Sequence, residues 1–540
     1  MIEFRHRLPS LFADGKQNGT YNNEEMVLPC MLTTDDSRLG EFLHRLHNAI
    51  QDDRRLVFID GRVLGCYKNW IRDHVHEMKA FKHWEHDLRS FLQFILDTQT
   101  EEGYYFELIK QLDDGHWTFV DPPCYRIYAE DNLSLVRLEL EADIEYLVVE
   151  GAMQYYRASG DAAWLRSVLP KLERGIEYIT SSPKRWDAAH GLVKRPFTID
   201  TWDFTAYAAV TDRRIHADEK MSVMHGDNSG VYRAMLDLAQ IRERMGDGDK
   251  AAMWRSRAER LRENMFRYLW NGNFFIHQRH LGHAGLDEKE AERLSLSNTY
   301  DINRGVTDVR QSRKIIEEYL RRRKTGEAFA EWYSIDPPYE KFAGYSAGQY
   351  VNGALSPFTA GELAKAAFRN GYESYGWDIV SRFTEMLERD KDIYFLYSPK
   401  DSMPQGGGPS GWGAAALLSA VDEGLAGVED ADCLYREIDF SPRFVVTPYR
   451  ELRYITGYES SGVYVDVRWI RTDEGMRYDV FSPAERINAH ILLPAGKACR
   501  EVRVNGAKTD FRTVRVADSA YADFSVPAAG SFSAELYWER

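Results

Sequence analysis

Apolar positions recur at helical spacing through most of residues 36–427. Within residues 133–159, Leu135, Leu138, Ala142, Ile144, Leu147 and Val148 fall at mixed spacings, mostly of three or four. That spacing places them on one face of an amphipathic helix. Gly160 and Asp161 end the pattern, and a second one runs through Trp164, Leu165, Val168 and Leu169. The same punctuation returns at Gly246, Asp247, Gly248 and Asp249, between helical stretches at 231–245 and 251–269. Glycine closes one helix and aspartate caps the next, so each break predicts a helical hairpin. Further helices are expected near 36–51, 83–99, 307–323, 358–369, 373–389 and 411–426. That makes about ten to twelve, joined alternately by tight turns and by long aromatic-rich loops of the kind that carry function. The repeats are too uneven in length for a solenoid.

Near residue 430 the period changes. Val463, Val465 and Val467, then Ala489, Ile491 and Leu493, then Val502 and Val504, and Phe524 and Val526, alternate with other residues. Pro494–Ala495–Gly496 and Val504–Asn505–Gly506 separate such runs. This is the pattern of a β-sandwich, and it carries no evident chemistry. The expected division is an N-terminal extension (1–35), a helical catalytic domain (36–430) and a small C-terminal β-sandwich (431–540) that packs or covers.

With 69 basic and 84 acidic side chains, the net charge is −15. Nucleic acid or an anionic membrane would call for a basic footprint, so neither is expected as a partner. Aromatic residues make up 13% of the chain, which suits a large core and a sugar-binding cleft equally well. Cys30, Cys66, Cys124, Cys433 and Cys499 show no CxxC pairing and read as reduced, buried thiols. The first residues lack the apolar run of a signal peptide, and no uninterrupted apolar stretch is long enough to span a membrane. The expectation is a cytoplasmic enzyme.

Two motifs pair tryptophan with carboxylate in expected loops: Trp70–Ile71–Arg72–Asp73 and Asp200–Thr201–Trp202–Asp203–Phe204. A sugar offers apolar C–H faces to aromatic rings and hydroxyls to charged acceptors, so this pairing suits a glycoside. Four segments carry a resemblance to the six-hairpin, (α/α)6-barrel glycosidases, a superfamily that includes trehalases, glucoamylases and α-L-rhamnosidases. VLGCYKNWIRDHVHEM is similar to the early-barrel segment whose Arg–Asp pair grips the terminal sugar. DTWDFT is similar to the trehalase segment that holds the general acid. GQYVNGALSP and MPQGGGPSGWGAAALLSAVDEGLAG resemble a conserved loop of the superfamily and its glycine-rich closing loop and Gly-Trp helix. The C-terminal strands look like the sandwich appended to rhamnosidases. The resemblance implies a mainly α protein, an (α/α)6 toroid of helical hairpins followed by a β-sandwich. It departs in one place: the trehalase base is a glutamate after the glycine run, where this chain reads Gly408–Pro409–Ser410–Gly411.

Inverting glycosidases place a protonated carboxyl and a water-holding carboxylate roughly 6.5–9.5 Å apart. The resemblance makes Asp203 the acid, flanked by Trp202 and Phe204, whose rings would desolvate it and favour its protonated form. Its alternative is a helix cap, and Asp200 suits either catalytic role. Position in the topology favours Asp401 as base, while residue type and aromatic setting favour Glu331; Glu340 and the absence of any protein base stay open. Arg72 and Asp73 are expected to bind sugar hydroxyls or to tie helices together as a salt bridge. Trp70, Trp202 and Trp412 are candidate sugar platforms, and Gln349, Tyr350 and Asn352 candidate ring contacts, with a turn at Asn352 as the rival. His74 and His76 are poorly spaced for a metal, and no metal or other cofactor is expected. The leading expectation is an inverting, exo-acting glycoside hydrolase acting on an oligosaccharide or glycoside. The alternatives are a disaccharide phosphorylase, in which phosphate replaces the base, and a non-catalytic carbohydrate-binding helical protein. Oligomeric state is left open.

Overall fold

The computed structural model describes residues 33–112, 125–200, 202–207, 213–527 and 530–539. Most of the expected N-terminal extension, with Cys30, lies outside them, as does Cys124. The described residues hold the helices α1 (Ser37–Gln51), α2 (Ile71–Phe81), α3 (Ser90–Asp97), α4 (Ile144–Ser159), α5 (Ala162–Ile179) and α6 (His225–Arg244). Then follow α7 (Gly248–Leu269), α8 (Ser297–Asn303), α9 (Val309–Thr325), α10 (Pro357–Arg369), α11 (Glu373–Asp390) and α12 (Gly411–Ser419).

Connection lengths alternate. Every even-numbered helix follows a long connection containing short strands, whereas α5, α7, α9 and α11 follow short turns. The turns are the capped breaks expected from sequence. Asp161 accepts from the Trp164 N–H, Asp247 from Lys250, and Asp308 and Gln311 form a reciprocal capping box at the start of α9. The even helices pack in a closed series: α2 on α4, α4 on α6, α6 on α8, α8 on α10, α10 on α12, and α12 back on α2. The odd helices pack on these, α5 on α4 and α6, α7 on α6, α11 on α10 and α1 on α12. The seam between α10 and α12 is tight. A Cβ on Gly361 would sit 2.4 Å from the Ala416 carbonyl carbon, so glycine there sets the distance between the two backbones.

Two expectations change. Leu133–Val136 is a strand, not the start of a helix; it pairs with Leu108–Gln111 and Tyr125–Tyr128, and helix begins only at Ile144. Its Leu-Ser-Leu-Val alternation suits a strand flanked by two partners. The motif at Trp70 is not a loop, because Ile71, Arg72 and Asp73 form the first turn of α2. Ile71, Val75 and Met78 are all fully buried, a helical stripe that the sequence reading passed over.

After Ala426 the chain is almost wholly strand. A seven-stranded and a five-stranded sheet enclose Tyr454, Val467, Trp469 and Tyr478, all buried. Thr33–Thr34 adds to the larger sheet beside Glu451–Tyr458, and Val428–Asp430 already pairs with Glu437–Phe440 of the smaller. Cys66, Cys433 and Cys499 are free, buried thiols. No described helix is long and apolar enough to cross a membrane.

Candidate active site

The first turns of the even helices meet at one end. His76 of α2 stacks on Trp412 of α12 with ring centroids 4.3 Å apart, and Trp412 stacks on Phe358 of α10 at 4.8 Å. The Trp412 indole N–H donates to the Tyr300 hydroxyl of α8 (2.9 Å). Gly226 of α6 lies so near Ser297 of α8 that a Cβ would meet its Oγ at 2.3 Å. The long connections therefore end at a common mouth.

Asp203 comes to that mouth on the connection before α6, with its side chain about 20% exposed. Its charge bears on Glu141 and, together with that of Asp73, on the Tyr350 hydroxyl. Burial first, and then the charges of Asp203, Tyr345 and Asp73, push that hydroxyl up. The Arg213 guanidinium donates to the Asp203 carbonyl and lies 3.5 Å from its carboxylate. Trp202 is buried and turns to Tyr350 and Phe395, each at 5.5 Å, so it is one wall of an aromatic lining that also holds Phe204. Asp200 lies beneath. Its backbone is left-handed (φ 43°), and its carboxylate accepts from Ser297 (2.5 Å) and Ser295 (3.3 Å). Those bonds anchor the turn that presents Asp203 and make Asp200 a support for it.

Arg72 and Asp73 separate in role although adjacent in sequence. Arg72 is buried, forks onto both oxygens of Asp143 (2.6 and 2.8 Å), and reaches Glu141 (3.0 Å). It ties α2 to the entry of α4 and offers no fork to a sugar. Asp73 is half-buried; burial outweighs the Arg72 and Lys68 charges and raises its carboxyl to about 6. One turn further along α2, Glu77 is fully buried, and neither of its oxygens has a hydrogen-bond donor. Burial, then the charges of Asp53 and Asp73, hold it well above the usual carboxylate range. Asp53 binds the Lys68 ammonium (2.5 Å) and accepts from the Gly411 N–H (3.2 Å). A Cβ on Gly411 would lie 2.5 Å from Asp53 Oδ2 and 2.6 Å from Glu77 Oε2. Gly411→Ala is therefore expected to cost about 1–3 kcal/mol of stability, read as a lowered Tm by calorimetry.

Other expected site residues lie elsewhere. Asp401 is exposed, in a turn where its carboxylate accepts from its own Met403 N–H (3.2 Å) and where Ser402 binds Arg389 of α11. Glu331 is fully buried and clamps its connection to α11, accepting from Arg382 (2.7 and 3.1 Å) and from the Tyr375 hydroxyl (2.6 Å). Neither faces the mouth, because local bonds satisfy the first and a guanidinium holds the second. Glu340 is exposed. Asn352 is fully buried and spends its amide on the Tyr339 and Tyr345 backbone, holding the loop that presents Tyr350. Gln349 is exposed and binds the Ser346 N–H. Trp70 packs on the buried cluster of Leu108, Val136 and Leu138. Trp412 is buried in the floor between His76 and Phe358.

The sequence reading missed Asp53, Glu77, Glu141 and Asp143. The signal available for the last two was ELEADIE at 139–145, acids at every second place in an otherwise apolar stretch. A solvated helix face does not carry that spacing.

Residues 146–412 match the model of the mannosylglycerate hydrolase MGH1-like glycoside hydrolase domain. Among solved structures, the GH78 rhamnosidase of Bacillus sp. GL1 superposes with a TM-score of 0.58 at 14% identity, covering 86% of this chain and 43% of its own. The α-L-rhamnosidase of Dictyoglumus thermophilum gives 0.59 at 12% identity, over 94% of this chain and 50% of that one. The Streptomyces avermitilis α-L-rhamnosidase gives 0.57 at 14%, over 94% and 42%. The fold is that of the six-hairpin glycosidases. The chain spans half or less of the length of these rhamnosidases. No curated protein matches it.

Proposed function

We propose that this protein is an inverting, exo-acting glycoside hydrolase with Asp203 as general acid. The even-numbered helices form the inner ring of an (α/α)6 toroid, the strands from Val428 onward, joined by Thr33–Thr34, form the sandwich, and the free thiols of Cys66, Cys433 and Cys499 suit the cytoplasm. The observation that carries the reading is the aromatic lining beside Asp203, where the Trp202 ring lies 5.5 Å from both Tyr350 and Phe395 and Phe204 stacks on Tyr350. The rings of Trp202, Phe204 and Tyr350 offer the apolar face that a pyranose needs. The stack of His76, Trp412 and Phe358 bridges α2, α12 and α10.

In this site Asp203 protonates the departing glycosidic oxygen, and water attacks the anomeric carbon from the opposite side. The test is a panel of nitrophenyl glycosides and oligosaccharides, with the released anomer followed by NMR, run with and without inorganic phosphate. Release of the inverted sugar without phosphate supports hydrolysis. Release that requires phosphate and yields a sugar phosphate overturns it in favour of a phosphorylase. Asp401→Asn is expected to leave kcat within about twofold on any substrate found, since an exposed turn carboxylate takes no part in proton transfer; steady-state kinetics check it.

A further inference from the structure

A cavity of about 580 Å³ lies where the helical hairpins meet the sandwich, and it is not the mouth. Phe358, in the first turn of α10, belongs to the aromatic stack at the mouth, whereas Arg369, the last residue of α10, lines the cavity. Between those two residues the helix rises about 17 Å. Glu423 and Gly427, beyond α12, complete the helical side.

The other wall is the outer face of the five-stranded sheet. Side chains alternate along a strand, so Ile438, Ile487, Ala489 and Phe524 turn to the core while their neighbours turn outward. Strand register sets those neighbours in two rows across the sheet. Glu429, Asp439, Asn488 and Ser525 stand side by side in one row, and His490, Asp523 and Arg512 in the next. All seven line the cavity. The rows are braced from within. The Asn488 amide donates to Asp439 (3.0 Å) and to Glu437 (3.2 Å). His490 Nδ1 meets one oxygen of Asp523 at 2.5 Å, and Arg512 donates to the other (3.3 Å). The His490 ring lies flat on Tyr521, with centroids 3.9 Å apart.

Two groups on this wall lack a full set of partners. Asp439 stands directly opposite Glu429, a like-charge placement that destabilises a sheet, and no cation among the described residues pairs with it. Arg443 is 4% exposed, and its Nη1 donates to the carbonyls of Gly424 (2.6 Å) and Ser441 (2.7 Å). Its Nε is buried with no acceptor among the described residues. The lining also decides the class of ligand. Carboxylates outnumber guanidiniums four to three, and Arg369 and Arg512 already hold Glu429 and Asp523, so a phosphate or carboxylate would meet more like charge than opposite. An apolar ligand would take water from these ions and offer them no bonds. A neutral sugar meets neither objection. Its hydroxyls donate to carboxylate and amide oxygens and accept from N–H groups, and its C–H face suits the flat His490 ring.

We propose that this cavity is a second, non-catalytic binding site for a neutral sugar, with Asp439 and Asn488 as hydroxyl partners. The size is within the range of small-molecule sites, about 300–1,000 Å³. The site stands apart from the mouth and does not rest on the hydrolase reading.

The experiment titrates the full chain with glucose, mannose, galactose, rhamnose, disaccharides of these and inorganic phosphate, followed by calorimetry and saturation-transfer NMR. At least one sugar is expected to bind the wild type, and Ser525→Trp, which fills the cavity from an exposed position, should weaken it at least tenfold. Asp439→Ala with Asn488→Ala should do the same. Ser525→Trp should keep its Tm and, on any nitrophenyl glycoside turned over, a kcat within twofold of the wild type. Failure of every sugar to bind, or binding that Ser525→Trp leaves unchanged, overturns the proposal. Binding of phosphate alone, lost in Ser525→Trp, overturns the ligand class. Collapse of kcat in a folded Ser525→Trp protein overturns the separation from the mouth. If the wild type turns over no glycoside, the hydrolase reading falls, and sugar binding sensitive to Ser525→Trp still supports this site.

Discussion

Replacing Asp203 with asparagine is expected to lower kcat/KM by roughly 10²–10⁴-fold on a glycoside with a poor leaving group while leaving sugar binding nearly unchanged. Asparagine keeps the shape, the carbonyl that Arg213 binds and the aromatic surround, so the turn anchored by Asp200 should stay in place. What it lacks is a proton to give. The loss should therefore shrink as the leaving group grows more acidic, because a dinitrophenolate departs without protonation while an alkoxide does not. Kinetics on a series of aryl and alkyl glycosides give the slope directly. An equal loss across the series would mean that Asp203 binds sugar and another group delivers the proton. Full activity in the variant would remove Asp203 from the site altogether.

The sequence made the scaffold legible more readily than the chemistry, for a physical reason. Helix breaks such as 160–161 and 246–249 are local events, a left-handed glycine and a capping aspartate, and local chemistry is written in adjacent residues. The alternation after residue 430 is equally local. Short inner helices are harder to see: α2 and α8 are buried on nearly every side, and their amphipathic stripe fades into a mixture of apolar and charged residues. Carboxylate roles were the least legible. Glu331 and Asp73 both sit beside aromatics in sequence. They differ in which residues meet them, Arg382 on α11 for one and the charges of Arg72, Lys68 and Asp53 for the other. Asp203 was singled out because tryptophan and phenylalanine flank it in sequence, and both rings lie in the aromatic lining around Tyr350.

The second large effect is one of stability. Arg72→Met should lower stability by about 3–5 kcal/mol, because it leaves two fully buried carboxylates without their counterion. Burial pushes Asp143 up, and the charge and hydrogen bonds of Arg72, together with the charges of Arg195 and Arg137, outweigh it and hold that carboxyl below its ordinary range. In the wild type this pair contributes stability that is full above the unfolded aspartate value and is lost as pH falls through the folded one. In the variant the sign reverses. With Arg72 gone, the two strongest opponents of burial are lost and only the charges of Arg195 and Arg137 remain, so Asp143 rises, and the variant gains on protonation and loses stability as pH rises. The Tm gap between the two proteins should then be widest near about pH 8 and narrow toward about pH 5, read by calorimetry. Arg72→Lys should fall between them, since an ammonium restores one charge but cannot fork across Asp143 and reach Glu141 together. Were Arg72 instead a sugar-gripping residue, as its neighbour's sequence setting suggests, both variants would melt like the wild type and only KM would move. The three bonds that bury it on Asp143 and Glu141 argue for the first outcome.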